Sequence, residues 1–197
     1  MPCGWFQKFL YGKGQSGSSP IYKRCIDLDS FADWWIVHEL TLNAEPNGPR
    51  SCYVHDRGDG RLRMGPVWDF DLAFIPVGLD DDGNIRPPRF KRPEIRLLTV
   101  DSVYNGKAMW YARLLEDSVF KGRVAVHWRK LKPRFVALLP LIGKWEAQIS
   151  LSAEDNDRIW KGQDRARFDP FDDFHASIEY VRQVYENRLA VMDGICR

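Results

Sequence analysis

Asp69 and Asp71 lie one residue apart in MGPVWDFDLAF, Met64 to Phe74, a run that is otherwise apolar. A strand that buries hydrophobic surface gains nothing from carboxylates unless they have partners. Carboxylates at the end of a strand, beside an irregular loop, are where a hard cation is held. Mg2+ takes one or two of them and completes its shell with phosphate oxygens and water. A further acid, Glu45, follows Asn43 by two residues in the turn NAEPNGPR, and an acid reaching the same place from that loop would orient an attacking hydroxyl. The plainer alternative makes Asp69 and Asp71 a strand-end pair that caps a turn and bonds Arg61 or Arg63.

The elements that must position these groups are legible around them. In DLDSFADWWIVHELTLN, Ser30 followed by Asp33 resembles a capping box. Phe31, Trp34, Trp35, His38 and Leu42 keep helical spacing, and Ile36, Val37 and Leu40 fill the other faces. The pattern predicts a largely buried helix over Ser30–Asn43. His38, on the apolar stripe, is expected to be a hydrogen-bonded core histidine rather than a metal ligand. Pro46, Gly48 and Pro49 end the helix. SCYVH and RLRMGPVWDF then form an antiparallel hairpin across DRGDG, with Tyr53, Val67 and Phe70 as its apolar face. Arg57-Gly58-Asp59 has the order of an integrin-recognition tripeptide and is expected to be an ordinary charged tip.

Downstream, LDDDGNIRPPRFKRPE reads as a polar loop. Asp80, Asp81 and Asp82 lack the EF-hand spacing, and Arg86, Arg89, Lys91, Arg92 and Arg96 read as a solvated basic rim. The rest reads as helical. Asp117 caps between two helices, Pro133 opens a helix that Pro140 interrupts, and the chain closes on an amphipathic helix through Ile178, Val181, Tyr185, Leu189 and Met192. GKGQSGSSP near the start is a loop without phosphate-loop spacing.

Composition narrows the function classes. The 197 residues are 44% hydrophobic, enough for one packed core with a small appendage. With 29 basic and 27 acidic residues, nothing calls for a polyanionic partner, so nucleic acid is not expected. No apolar run is long enough for a membrane span, and no signal-peptide core opens the chain. Cys3, Cys25, Cys52 and Cys196 lack metal-site spacing and read as ordinary thiols. The compartment stays open, with cell surface or secretion following if an export signal lies upstream.

DLDSFADWWIVHELTLN followed by YVHDRGDGRLRMGPVWDFDLAF resembles the core signature of the CotH kinase family, the spore-coat-protein-H-like atypical kinases. The resemblance continues through WYARLLEDSVFKGRVAVHWRKL, SAEDNDRIW and the last helix, from about Ile26 onward. It implies an α+β, mostly helical fold like a protein-kinase C-lobe, with a small antiparallel hairpin carrying the acids. It also implies ATP, Mg2+ or Mn2+, and phosphoryl transfer to protein hydroxyls. Asp69 matches the metal-binding acid that replaces the Asp of an Asp-Phe-Gly, Asp71 matches the second acid of W-D-x-D, and Glu45 falls where the family has its catalytic-loop Asp. The resemblance thus makes Glu45 and Asp69 catalytic, Asp69 and Asp71 the metal acids, and Asn43 and Asp71 cofactor-binding.

Three departures accompany it: Glu replaces Asp at 45, Ile75-Pro76 follows Phe74 where the family has Gly, and no Gly-rich cover or phosphate-pairing Lys precedes the motif. The expected organisation is therefore a lead-in segment, residues 1–25, joined to a C-lobe, residues 26–197, weak or inactive without its N-lobe. Its partners would be a protein substrate or the missing N-lobe, with self-association through exposed interlobe surface. The alternative is a kinase-derived non-catalytic module serving binding or a surface or spore-coat structure.

Overall fold

The fold is that of a computed structural model, which describes residues 22–43, 51–71, 73–74, 78–79, 85–86, 98, 110–160 and 173–197. It is α+β and mostly helical. In chain order the elements are α1 (Tyr22–Cys25), α2 (Leu28–Leu40), β1 (Val54–Asp56), β2 (Leu62–Met64), β3 (Gly78–Leu79), β4 (Ile85–Arg86), α3 (Tyr111–Leu114), α4 (Ser118–Val136), α5 (Leu139–Trp160) and α6 (Phe174–Ile195). The chain divides into two compact units. The first is Met1–Ala73, Arg96–Lys130 and Cys196–Arg197; the second is Phe74–Ile95 and Leu131–Ile195.

In the first unit α2 is the centre. Its N-cap is Asp27, not Ser30. The Asp27 carboxylate accepts the Ser30 N–H at 3.0 Å, and the Ser30 hydroxyl donates back to the Asp27 carbonyl at 3.0 Å. Phe31, Trp34, Trp35, Ile36, His38 and Leu40 are all buried, so the helix is enclosed on most sides. It ends in a Schellman motif: the Asn43 N–H bonds the His38 carbonyl at 3.0 Å and the Leu42 N–H bonds the Glu39 carbonyl at 3.3 Å. The left-handed position usually given to glycine is filled by Leu42, with φ 51°, fully buried.

β1 and β2 pair antiparallel, Val54 with Met64 and Asp56 with Leu62. The turn between them is locked by its own charges. The Asp56 carboxylate accepts the N–H groups of Gly58 (2.8 Å) and Gly60 (3.1 Å), and Arg63 forks onto Asp59 at 2.9 and 2.6 Å. The Arg57-Gly58-Asp59 tip is thus a charge-locked turn, and Arg63 holds Asp59 far below the usual carboxylate range. Arg63 also meets Asp27 at 3.3 Å, which ties the hairpin to the N-terminus of α2.

The ladder is shorter than expected. β2 stops at Met64, and Gly65 to Phe70 has no regular structure. Gly65 still donates to the Tyr53 carbonyl at 2.6 Å, but Pro66 has no N–H to give. Nor does the expected apolar face form, since Tyr53 and Val67 are about half exposed, 54% and 50%. A second short ladder, β3 with β4, pairs Gly78 with Arg86 and Leu79 with Ile85, where a plain loop was expected. Asp80, Asp81, Asp82, Arg89, Lys91, Arg92 and Arg96 lie outside the described residues.

Asp117 caps α4, accepting the Val119 N–H at 2.7 Å. In the second unit the prolines exchange the roles expected of them. Pro133 lies inside α4, in its last turns, and Pro140 stands in the first turn of α5, where a missing N–H costs nothing. α6 starts on Asp173, whose carboxylate accepts the Ala176 N–H at 2.7 Å, and buries Val184, Tyr185, Leu189 and Met192. Among the described residues no helix is long and apolar enough to cross a membrane.

Candidate active site

The stretch from Met64 to Phe70 runs along α2. The Met64 N–H bonds the Ser30 hydroxyl at 3.3 Å near the start of the helix, and Phe70 stacks on His38 near its end, ring centroids 5.2 Å apart. Asp69 sits beside the Schellman turn. The fully buried Asn43 donates its side-chain amide to the Asp69 carbonyl at 2.9 Å. Asp69 has φ 61°, a left-handed conformation that is strained for a residue with a Cβ, though Asp tolerates it better than most. Such strain persists where the surroundings over-determine it, and it gathers at functional sites.

The Asp69 side chain is exposed and has partners. A hydrogen bond from Ser51, and then one with Asp71, hold its carboxyl below the usual carboxylate range. Ser51 is tied in by its other polar group, since its carbonyl accepts the Trp68 indole N–H at 2.8 Å. Trp68 and Tyr53 form an exposed edge-to-face pair at 5.8 Å next to the acid.

Asn43, Asp69 and Asp71 are thus brought to one place. Arg63, one of the two alternative partners for the acids, is engaged elsewhere, with Asp59 and Asp27. Glu45 lies outside the described residues. Among the described residues no three His, Cys, Asp or Glu side chains gather as a metal-binding cluster. Two neighbouring carboxylates at the surface suit a hard cation that keeps most of its shell for water and phosphate.

Two features were missed in the sequence. Ser51 carries no local signal, because its role depends on the hairpin bringing it to Asp69. His38 was expected to be hydrogen-bonded. It is 2% exposed, and neither ring nitrogen has a hydrogen-bond partner among the described residues. Burial lowers its pKa to about 4, so the ring is neutral at ordinary pH.

No curated protein and no solved structure matches the chain. The family model described as CotH kinase protein matches residues 11–192, starting upstream of Ile26, where the resemblance in the sequence begins, and taking in every residue of the site just described. The WDFD acids, the hairpin before them and the buried helix beneath them all fall within the matched span, and the chain belongs to the CotH kinase family.

Proposed function

We propose that this chain carries the C-lobe-like part of an atypical protein kinase that uses ATP and Mg2+ or Mn2+ to phosphorylate protein hydroxyls. The observation that carries this reading is the geometry of Asp69: a strained, exposed acid beside Asp71, its carbonyl gripped by a buried amide, within a chain of a kinase family. Asp69 and Asp71 would hold the divalent cation, which when bound neutralises phosphate charge. Phosphoryl transfer needs little covalent chemistry from the protein and depends on positioning and charge.

The protein's own groups then have distinct tasks. Asn43 fixes the peptide that follows Asp69. Ser51 orients the Asp69 carboxylate and favours its charged form. Glu45 is assigned the role of receiving the acceptor hydroxyl proton, on the strength of the family pattern. Its extra methylene relative to Asp displaces the carboxylate, and a displacement of about 1 Å costs about a hundredfold in rate.

The test is radiolabel transfer from ATP to protein by the full gene product, alongside Mn2+ binding by this chain. Asp69→Ala should abolish both. Glu45→Ala should abolish transfer and leave Mn2+ binding intact, and Glu45→Asp should keep or raise the rate. If Asp69→Ala labels as well as the parent, Asp69 is a structural acid and the kinase reading of the site fails.

A further inference from the structure

We propose that His38 is a positioning residue for Asp69, acting through the Phe70 ring. The assignment of Asp69 as a metal ligand rests on the reading above; the positioning does not.

Four rings form a column through the first unit. Tyr111 stacks on Trp34 with centroids 5.6 Å apart and planes 6° from parallel. Trp34 lies 3.9 Å from His38, and His38 lies 5.2 Å from Phe70, planes 15° apart. The inner end is anchored: the Tyr111 hydroxyl donates to the Phe31 carbonyl at 3.0 Å, and Tyr111 also packs on Phe120 at 6.2 Å. The outer end is the residue that follows Asp69. His38 is the only member on α2 that reaches Phe70 among the described ring contacts.

Among the described residues the ring nitrogens of His38 make no hydrogen bond, although the ring is buried. Most buried polar side-chain atoms find a partner, so a histidine without one is an exception that asks for a reason. With its polar atoms idle, the contribution of His38 is its ring contacts, with Trp34 and with Phe70.

That contact matters because of what it holds. The peptide between Asp69 and Phe70 carries the Asp69 carbonyl, which Asn43 grips at 2.9 Å. The Phe70 ring, just beyond the same peptide, is gripped by His38. Two holds on one peptide plane fix its rotation, and with it the left-handed backbone of Asp69. Release either hold and the strained residue can relax toward an ordinary conformation, turning its carboxylate away from Ser51 and Asp71. Both holds come from the end of α2, His38 from its last turn and Asn43 from its Schellman turn.

The experiment compares His38→Ala, His38→Phe and Phe70→Leu with the parent protein, with circular dichroism confirming the folded state. The first readout needs no metal: the HN–Hα coupling and the Cα and Cβ shifts of Asp69 by NMR, which report its φ. The second is Mn2+ affinity by electron paramagnetic resonance.

In His38→Ala and Phe70→Leu the left-handed signature should be lost or averaged, and Mn2+ should bind about ten- to a hundredfold more weakly, as for loss of a residue that orients a ligand. His38→Phe keeps the stack and should keep both. A purely structural role would lower the melting temperature of His38→Ala and leave Asp69 unchanged in the folded protein. If His38→Ala cannot be obtained folded, Phe70→Leu decides, since Phe70 is only half-buried. Retention of the left-handed signature in the folded variants overturns the inference. Failure of the parent to bind Mn2+, with the signature responding as expected, sinks the metal reading and leaves the positioning role standing.

Discussion

Acidification should destabilise this protein through His38 well before its carboxylates begin to protonate. The ring is buried, lacks hydrogen bonds, and has a pKa lowered from 6.5 to about 4 by burial. In the unfolded chain it takes a proton as the pH falls through 6.5; in the folded protein it resists until about 4. Between those values the unfolded state binds more protons, so stability falls as pH falls. The histidine's contribution is complete above 6.5 and lost below about 4. At about 1.36 kcal/mol per pH unit, the step from pH 7.5 to 4.5 removes about 2 to 3 kcal/mol. For a protein of this size that is a large share of the usual margin, about 5 to 15 kcal/mol. The assay is urea denaturation at half-unit pH intervals, for the parent and for His38→Phe. Carboxylates titrate in both proteins, so the difference between the two curves isolates the histidine. The difference should open from pH 6.5 downward. Parallel curves would refute the reasoning, and so would an NMR titration placing the His38 pKa near its ordinary value.

Three other outcomes follow from the geometry. A Cβ on Gly65 would stand 2.6 Å from the Tyr53 carbonyl oxygen, so Gly65→Ala should destabilise by about 1–3 kcal/mol in thermal melts, the usual cost of overpacking. Asp69→Gly should be more stable than Asp69→Ala by about 1 kcal/mol, because glycine adopts the left-handed backbone without strain. α5 buries none of its 22 residues and exposes Trp145, Ile149, Leu151, Ile159 and Trp160; light scattering at rising concentration should show self-association, and Trp145→Ser with Leu151→Ser should reduce it.

The hairpin was legible because Asp-Gly between alternating residues is a local signal, and the buried helix because eight of its thirteen residues face inward. Its cap stands three residues before Ser30. Asp27 and Ser30 can both cap, and the choice is made by the hairpin: Asp27 donates its N–H to the Leu62 carbonyl at 2.9 Å and pairs with Arg63. The second strand is shorter than its apolar content suggests, because Pro66 has no N–H to extend the ladder. The proline exchange has a similar cause, since Pro133 is tolerated three residues before its helix ends and resembles a helix start in sequence. At the site, residue types and spacing single out Asp69 and Asp71 as candidates. Ser51 and the His38–Phe70 stack depend on contacts between residues far apart in the chain, which no window of sequence contains.

Leu98 ties two core residues together in their evolutionary freedom. Its N–H donates to the buried Glu39 carboxylate at 2.7 Å, and its carbonyl accepts the Trp35 indole N–H at 2.9 Å. Two side chains one turn apart on α2 thus do for this backbone what a neighbouring strand would do. Loss of either leaves a polar group in the core and loosens the segment the other still grips, so their effects are not independent. Descendants of this sequence should change Trp35 and Glu39 together or not at all, and a lineage that has lost one should show relaxed constraint on the other.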